Sequence, residues 1–116
     1  MRIAIFCESY LSQTTAVETH LSILSRGLSA MRHEVLIVTS DLEAEECYRD
    51  KNLLLCPAKI CGNFYGQSAK RSKISQLKQL IESFAPELIQ VATYGEMGSV
   101  GYEYAVKHDL PLIASI

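Results

Sequence analysis

The sequence predicts an α/β fold: a five-stranded parallel sheet in strand order 3-2-1-4-5, with helices on both faces. Three observations lead there. Short apolar segments of strand length alternate with amphipathic segments of helix length along the whole chain. The opening, Met1-Arg2-Ile3-Ala4-Ile5-Phe6-Cys7, passes through a polar loop from Glu8 to Thr14 into a helix and then a second apolar segment, the pattern of a parallel strand, helix, strand unit. Finally, 116 residues suffice for one hydrophobic core and are too few for two, so residues 1–116 are read as a single domain.

The first helix is predicted to start near Thr15. Its apolar residues Val17, Leu21, Leu24, Leu28 and Met31 recur in steps of four and three and form one stripe toward the sheet. Thr15 followed by Glu18 is a capping box, in which each side chain satisfies a free backbone N–H of the other residue. Strand two is Glu34-Val35-Leu36-Ile37-Val38-Thr39, and an acidic run, Asp41-Leu42-Glu43-Ala44-Glu45-Glu46, follows as a solvated loop. Strand three, Asn52-Leu53-Leu54-Leu55-Cys56, is expected to stop at Pro57. Residues 57–70, with Gly62, Asn63, Gly66 and the aromatic pair Phe64-Tyr65, read as a long loop, a length often reserved for function.

Helix two, residues 72–84, places Ile74, Leu77, Leu80, Ile81 and Phe84 on one face, and Pro86 ends it by disfavouring helix in the preceding residue. Strand four is Glu87-Leu88-Ile89-Gln90-Val91-Ala92, followed by the glycine-bearing turn Thr93-Tyr94-Gly95-Glu96-Met97-Gly98. A third helix reaches about His108, and Leu110-Pro111-Leu112-Ile113-Ala114 supplies strand five. In such a fold ligands bind at the carboxyl edge of the sheet, so the turns after strands one and four mark the site.

Composition narrows the function classes. A hydrophobic content of 48%, mean hydropathy of +0.10 and net charge of −2 suit a globular protein with a filled interior and argue against a dedicated nucleic-acid binder. No apolar run approaches the roughly 20 residues needed to span a bilayer, and the apolar opening is interrupted at Glu8, too soon for a secretory signal. The expected location is the cytoplasm. Cys7, Cys47, Cys56 and Cys61 have neither CxxC spacing nor a histidine at metal-ligand intervals, so no metal site is expected and the thiols read as reduced and structural.

Local motifs set aside three α/β families. The loop after strand one, Cys7-Glu8-Ser9-Tyr10-Leu11-Ser12, lacks the glycines of a dinucleotide-binding turn, and no Gly-Lys-Ser/Thr ending marks a P-loop. The aspartates of a receiver domain are absent from the ends of strands one and three.

Along nearly its full length the chain resembles the N-terminal half of family-four retaining glycosyltransferases of the GT-B type. The likeness rests on Met1-Arg2-Ile3-Ala4-Ile5-Phe6, on Tyr10-Leu11-Ser12-Gln13, on Val17 with Thr19-His20-Leu21, on His33-Glu34-Val35-Leu36-Ile37-Val38-Thr39-Ser40, on Pro86-Glu87-Leu88-Ile89-Gln90-Val91-Ala92-Thr93, and on Leu110-Pro111-Leu112-Ile113-Ala114-Ser115. No one of these is specific alone; their order and spacing together carry the resemblance. It implies a three-layer Rossmann-like acceptor-side domain, with the C-terminal donor domain lying outside these residues. It implies transfer of a hexose from a nucleotide sugar to a glycan or lipid acceptor, without a metal or other cofactor. The isolated domain is expected to be inactive, and the resemblance assigns no catalytic residue within it. The competing reading is a non-catalytic binding module that docks a separate partner domain.

The resemblance also implies substrate contacts at Ser12, Gln13, Thr14, Thr15 and Ala16, although a plain capping loop accounts for the same residues. The family usually has a glycine in this loop, where the chain reads Thr14-Thr15-Ala16-Val17, and a methyl group at Ala16 obstructs backbone approach to a donor phosphate. Gln90 and Ala92 replace the alternating histidines that many relatives carry in strand four. Thr93, Gly95, Glu96 and Gly98 are expected to shape the acceptor pocket, with Glu96 contacting a sugar hydroxyl; a turn that needs glycine for backbone freedom is the bland alternative. His20, His33 and His108 read as packing or surface residues. Lys59, Lys70, Arg71 and Lys73 surround Phe64-Tyr65 without an intervening acidic residue and suggest peripheral contact with anionic lipid headgroups, against the alternative of ordinary solvated charge.

Overall fold

The structure, a computed structural model, describes residues 1–8, 16–60, 67–92 and 95–114. In chain order the elements are β1 (Arg2–Phe6), α1 (Ala16–Ala30), β2 (Glu34–Asp41), β3 (Tyr48–Asp50), β4 (Leu53–Ile60), β5 (Gln67–Ala69), a 3-10 turn (Arg71–Lys73), α2 (Ile74–Phe84), β6 (Leu88–Val91), α3 (Glu96–Lys107) and β7 (Leu112–Ala114). The sheet runs β3-β4-β2-β1-β6-β7, with β5 attached to β4. β4, β2, β1, β6 and β7 are parallel neighbours, whereas β3 and β5 pair antiparallel with β4. The expectation of five strands, all parallel, is therefore corrected in number and in order: two short antiparallel strands are added beside β4.

Both additions have local causes. Lys51 adopts a left-handed conformation with φ 55°, and the tight turn through Lys51 and Asn52 folds Tyr48–Asp50 back onto Leu53–Leu55. Pro57 does not end its strand, contrary to expectation. Asp41 opposite Pro57 is the last β2 partner of β4, so the missing N–H is not needed there, and the Pro57 carbonyl accepts from the Lys70 amide at 2.8 Å. Beyond Pro57 the strand continues to Ile60 against β5, so part of the segment read as a loop is sheet. Phe64, Tyr65 and Cys61 lie outside the described residues.

The central strands β1, β2, β4 and β6 are buried on both faces, as parallel strands under helices must be, while the edge strands β3 and β7 are exposed. On one face Ala4, Phe6, Leu36, Val38, Leu54, Ile89 and Val91 pack with Leu77, Ile81 and Phe84 of α2 and with Met97, Val100 and Tyr104 of α3. On the other, Ile3, Ile5, Val35 and Ile37 pack with Leu21 of α1, joined by half-buried Leu24 and Leu28. Fully burying a side chain of this size contributes about 1.5–3 kcal/mol. The α1 stripe stops at Leu28. Met31 is 69% exposed, because α1 closes at Ala30 and Arg32 turns left-handed (φ 67°) so that the His33 amide reaches the Leu28 carbonyl at 3.0 Å. Left-handed Asp109 closes α3 in the same way, with the Leu110 amide on the Ala105 carbonyl at 2.9 Å, whereas left-handed Ala85, followed by Pro86, closes α2 with its own amide on the Ile81 carbonyl at 3.1 Å. The α3 backbone lies so close to β1 that a Cβ at Gly101 would stand 2.8 Å from the Phe6 ring.

Candidate functional site

In a parallel sheet every strand ends at the same edge, and here the chain leaving β1 meets the chain leaving β6. The Cys7 amide still bonds the Val38 carbonyl at 3.0 Å, and the Ala92 amide bonds the Phe6 carbonyl at 2.9 Å, so the ladder holds both strands to their last residues. Glu8 is the first residue past it. Its Oε1 accepts hydrogen bonds from the Met97 and Gly98 amides at 3.0 and 3.2 Å. These are first-turn N–H groups of α3, which no carbonyl within the helix can satisfy. A carboxylate there also faces the positive end of the helix dipole. The Ser40 hydroxyl, at the end of β2, donates to the Glu8 carbonyl, so the residue is held from both sides.

Gly95 is what lets this contact form. Its φ of 137° disfavours any side chain, and a Cβ built there would lie 2.6 Å from Glu8 Oε1. Burial pushes the Glu8 carboxyl above its ordinary range; the Gly98 and Met97 amides oppose that push, and the nearby charge of Glu96 adds to it. Glu96, one residue into α3, is partly exposed and accepts from Arg71 Nη2 at 3.3 Å and Arg71 Nε at 3.4 Å. Arg71 reaches it because β5 runs back along β4 and the 3-10 turn follows at once. The rim thus carries one carboxyl locked into backbone and a second at the surface beside a guanidinium, a pair of acceptors suited to hydroxyl groups.

Of the residues expected to touch substrate, Gly95, Glu96 and Gly98 are together at this rim, within reach of Glu8. Ala16 begins α1, whose start follows β1 at the same edge. Ser12, Gln13, Thr14, Thr15 and Thr93 lie outside the described residues, as does the capping contact between Thr15 and Glu18. Gln90 and Ala92 are buried, Gln90 opposite Ile5 in the ladder. Glu8 was not anticipated as a site residue. The signal was present in a carboxylate set directly after an apolar strand, but its partner stands 89 residues away in sequence.

The basic segment is less bare than its sequence suggests. Lys59, Lys70 and Arg71 are exposed and Lys73 is half-buried, but Arg71 pairs with Glu96 and Lys73 Nζ stands 3.0 Å from Glu46 Oε1. The acidic run is accordingly tied down as well: Asp41 Oδ1 accepts from the Glu43 amide, and the Tyr48 hydroxyl donates to Asp41 Oδ2. His20 is exposed, His33 is half-buried, and the His108 ring stacks on Tyr104 with centroids 4.1 Å apart. At the other end of α2 and α3, a cleft of about 200 Å³ is lined by Lys78, Glu82, Glu103, Tyr104, Lys107 and His108. Among the described residues no helix is long and apolar enough to cross a membrane, and no three His, Cys, Asp or Glu converge as a metal ion requires.

Comparison with known proteins places a family on this geometry. A family model described as Glycosyltransferase Family 4 matches residues 17–116. Among curated proteins, the Alpha-monoglucosyldiacylglycerol synthase of Acholeplasma laidlawii is 24% identical over 120 residues, an alignment that covers 100% of this chain. The chain spans 29% of that relative's length.

Proposed function

Since the chain belongs to glycosyltransferase family 4, we propose that it is the acceptor-side half of an enzyme that transfers a hexose from a nucleotide sugar to a lipid acceptor, with retention at the anomeric carbon and without a metal. The observation that carries this reading is the lock between the turns after β1 and β6: Glu8 on the Met97 and Gly98 amides fixes the two turns into one wall. A wall of this kind supplies preorganised polar groups whose position costs nothing at the moment of reaction. Glu96 and Arg71 orient the acceptor, with the Glu96 carboxylate taking a hydrogen bond from the hydroxyl that attacks. A second domain holds the nucleotide diphosphate opposite.

Electrostatics support a division of labour within the rim. The positive end of α3 is already occupied by Glu8, so it is not free to receive a phosphate. Contact with the donor diphosphate therefore falls to the segment before α1, where the Thr14 and Thr15 hydroxyls favour an anion although the Ala16 methyl limits backbone approach. A lipid acceptor is favoured over a glycan by the likeness to a monoglucosyldiacylglycerol synthase. The basic surface agrees with it in sign. About 1 kcal/mol per basic residue near an anionic headgroup would give about 4 kcal/mol for Lys59, Lys70, Arg71 and Lys73, reduced to about 2 kcal/mol by the carboxylates of Glu96 and Glu46.

The test is a transfer assay on the polypeptide extended by whatever coding sequence follows Ile116. It is given a panel of nucleoside-diphosphate hexoses with diacylglycerol in anionic vesicles or with soluble oligosaccharides. Mass spectrometry should find one hexose added to the lipid. Transfer to oligosaccharide alone would replace the acceptor class, and no transfer with tight docking of a separate domain would favour a binding module.

A further inference from the structure

β3 and β4 form a hairpin whose register sets Tyr48 opposite Leu55, Arg49 opposite Leu54 and Asp50 opposite Leu53. One step further along the same antiparallel register, Cys47 stands opposite Cys56. Directly opposed residues point to the same side of a sheet, and both cysteines are buried in the cluster beneath α2 and α3. The Cys47 amide is donated to Gln76 Oε1 at 3.0 Å and not to β4, as in a non-hydrogen-bonded pair. In such pairs the Cα atoms stand about 4.5 Å apart and the side chains approach most closely, within the 4.4–6.8 Å that a disulfide accepts. Both thiols are free.

We propose that Cys47 and Cys56 form a redox-active dithiol, which closes to a cross-strand disulfide when a peroxide or a small-molecule disulfide reaches Cys47. The two sulfurs are unequal. Cys56 is fully buried, whereas Cys47 retains 8% exposure at the outer edge of the sheet, so a reagent meets Cys47 first. The Cys56 thiol donates a hydrogen bond to Cys47, which holds the Cys47 thiol below its ordinary range, and the Lys73 charge acts in the same sense. Cys56 is pushed up correspondingly, chiefly by that hydrogen bond to Cys47 and by burial.

With a peroxide, the Cys47 thiolate attacks one oxygen, the O–O bond breaks, and a sulfenic acid and one water form. The Cys56 sulfur then displaces the second oxygen as water and forms the S–S bond. The two thiol protons leave in the two waters, and one peroxide is reduced for one disulfide formed. With a small disulfide, Cys47 forms a mixed disulfide and releases one thiol, and Cys56 then releases the other.

Trypsin makes the pairing readable, because Cys7, Cys47, Cys56 and Cys61 fall on four different peptides; Arg49 and Lys51 separate Cys47 from Cys56, and Lys59 separates Cys56 from Cys61. The native chain is exposed to hydrogen peroxide or oxidised glutathione, quenched with an alkylating reagent, digested without reduction and mapped by mass spectrometry. The expected product is the Cys47 peptide joined to the Cys56 peptide, short by two hydrogens. In concentrated urea the shorter loop should make Cys56–Cys61 the favoured link, so native structure and chain proximity give opposite answers. In a Cys47→Ser chain, Cys56 should resist oxidation at least tenfold longer. A native Cys56–Cys61 link, separate adducts on Cys47 and Cys56, or unchanged oxidation of Cys56 in the variant would each overturn the proposal.

Discussion

Glu8 gives the sharpest test of how the rim is built. Replacing it with alanine leaves the Met97 and Gly98 amides without their acceptor, and both residues are buried, so water replaces it poorly. Truncating a capping side chain costs about 0.5–2 kcal/mol, and with two amides involved the upper end applies. About 2 kcal/mol, at roughly 3–6 °C per kcal/mol for a chain of this length, lowers the melting temperature by about 6–12 °C. Glu8→Gln keeps an acceptor oxygen and costs less than about 1 kcal/mol, because burial already disfavours the charge. The pH dependence has a definite sign. The folded carboxyl is raised above its ordinary value of 4.5, so the native state binds the proton more tightly than the unfolded chain. Relative to Glu8→Gln, the parent chain therefore loses stability as pH rises from 4.5 through the folded pKa, and the difference then levels off. Urea denaturation followed by circular dichroism between about pH 4 and pH 8 reads both effects. Equal losses for the two variants, or a parent advantage that grows with pH, would refute the reasoning.

Three further outcomes are expected. Gly101→Ala should destabilise by up to about 2 kcal/mol, since the clash with the fully buried Phe6 ring, about 1–3 kcal/mol, outweighs the gain of nearly 1 kcal/mol in helix propensity; a stabilised variant in chemical denaturation would contradict the packing. Ala85→Gly should stabilise by about 0.5 kcal/mol, because the left-handed conformation at φ 55° strains alanine by about 1–2 kcal/mol and glycine only through its unfolded-state entropy. Arg71→Ala should change thermal stability by less than about 0.5 kcal/mol, its side chain being 84% exposed, while weakening sedimentation with anionic vesicles measurably; unchanged co-sedimentation would remove Arg71 from the lipid-facing surface.

What could be read from the sequence follows the range of the interactions. The five parallel strands and three helices announce themselves through local periodicity, and Pro86 places the end of α2 within a residue or two, whereas α3 starts at Glu96, inside the segment read as a turn. The antiparallel additions do not. β3 consists of three exposed residues, Tyr48, Arg49 and Asp50, with no alternation to detect, and its turn is built from a left-handed Lys51 where sequence reasoning looks for glycine. Pro57 misleads because the proline rule concerns a needed N–H, and only the ladder reveals that none is needed. Within the site, Gly95, Glu96 and Gly98 were legible as a turn. Their partner Glu8 was not, since a capping carboxylate from another strand leaves no spacing signature. The same holds for the basic segment, whose neutralising Glu46 and Glu96 lie in distant parts of the chain.

The central claim is that one rim, where β1 and β6 end, is the sugar-handling wall. Backbone amide chemical shifts of the 116-residue chain, followed by NMR during titration with nucleoside-diphosphate hexoses and with micellar diacylglycerol, test it most directly. The account predicts that the largest shifts fall on Glu8, Gly95, Glu96, Met97 and Gly98. Shifts gathered instead around Lys78, Glu82 and His108, at the opposite end of α2 and α3, would contradict it.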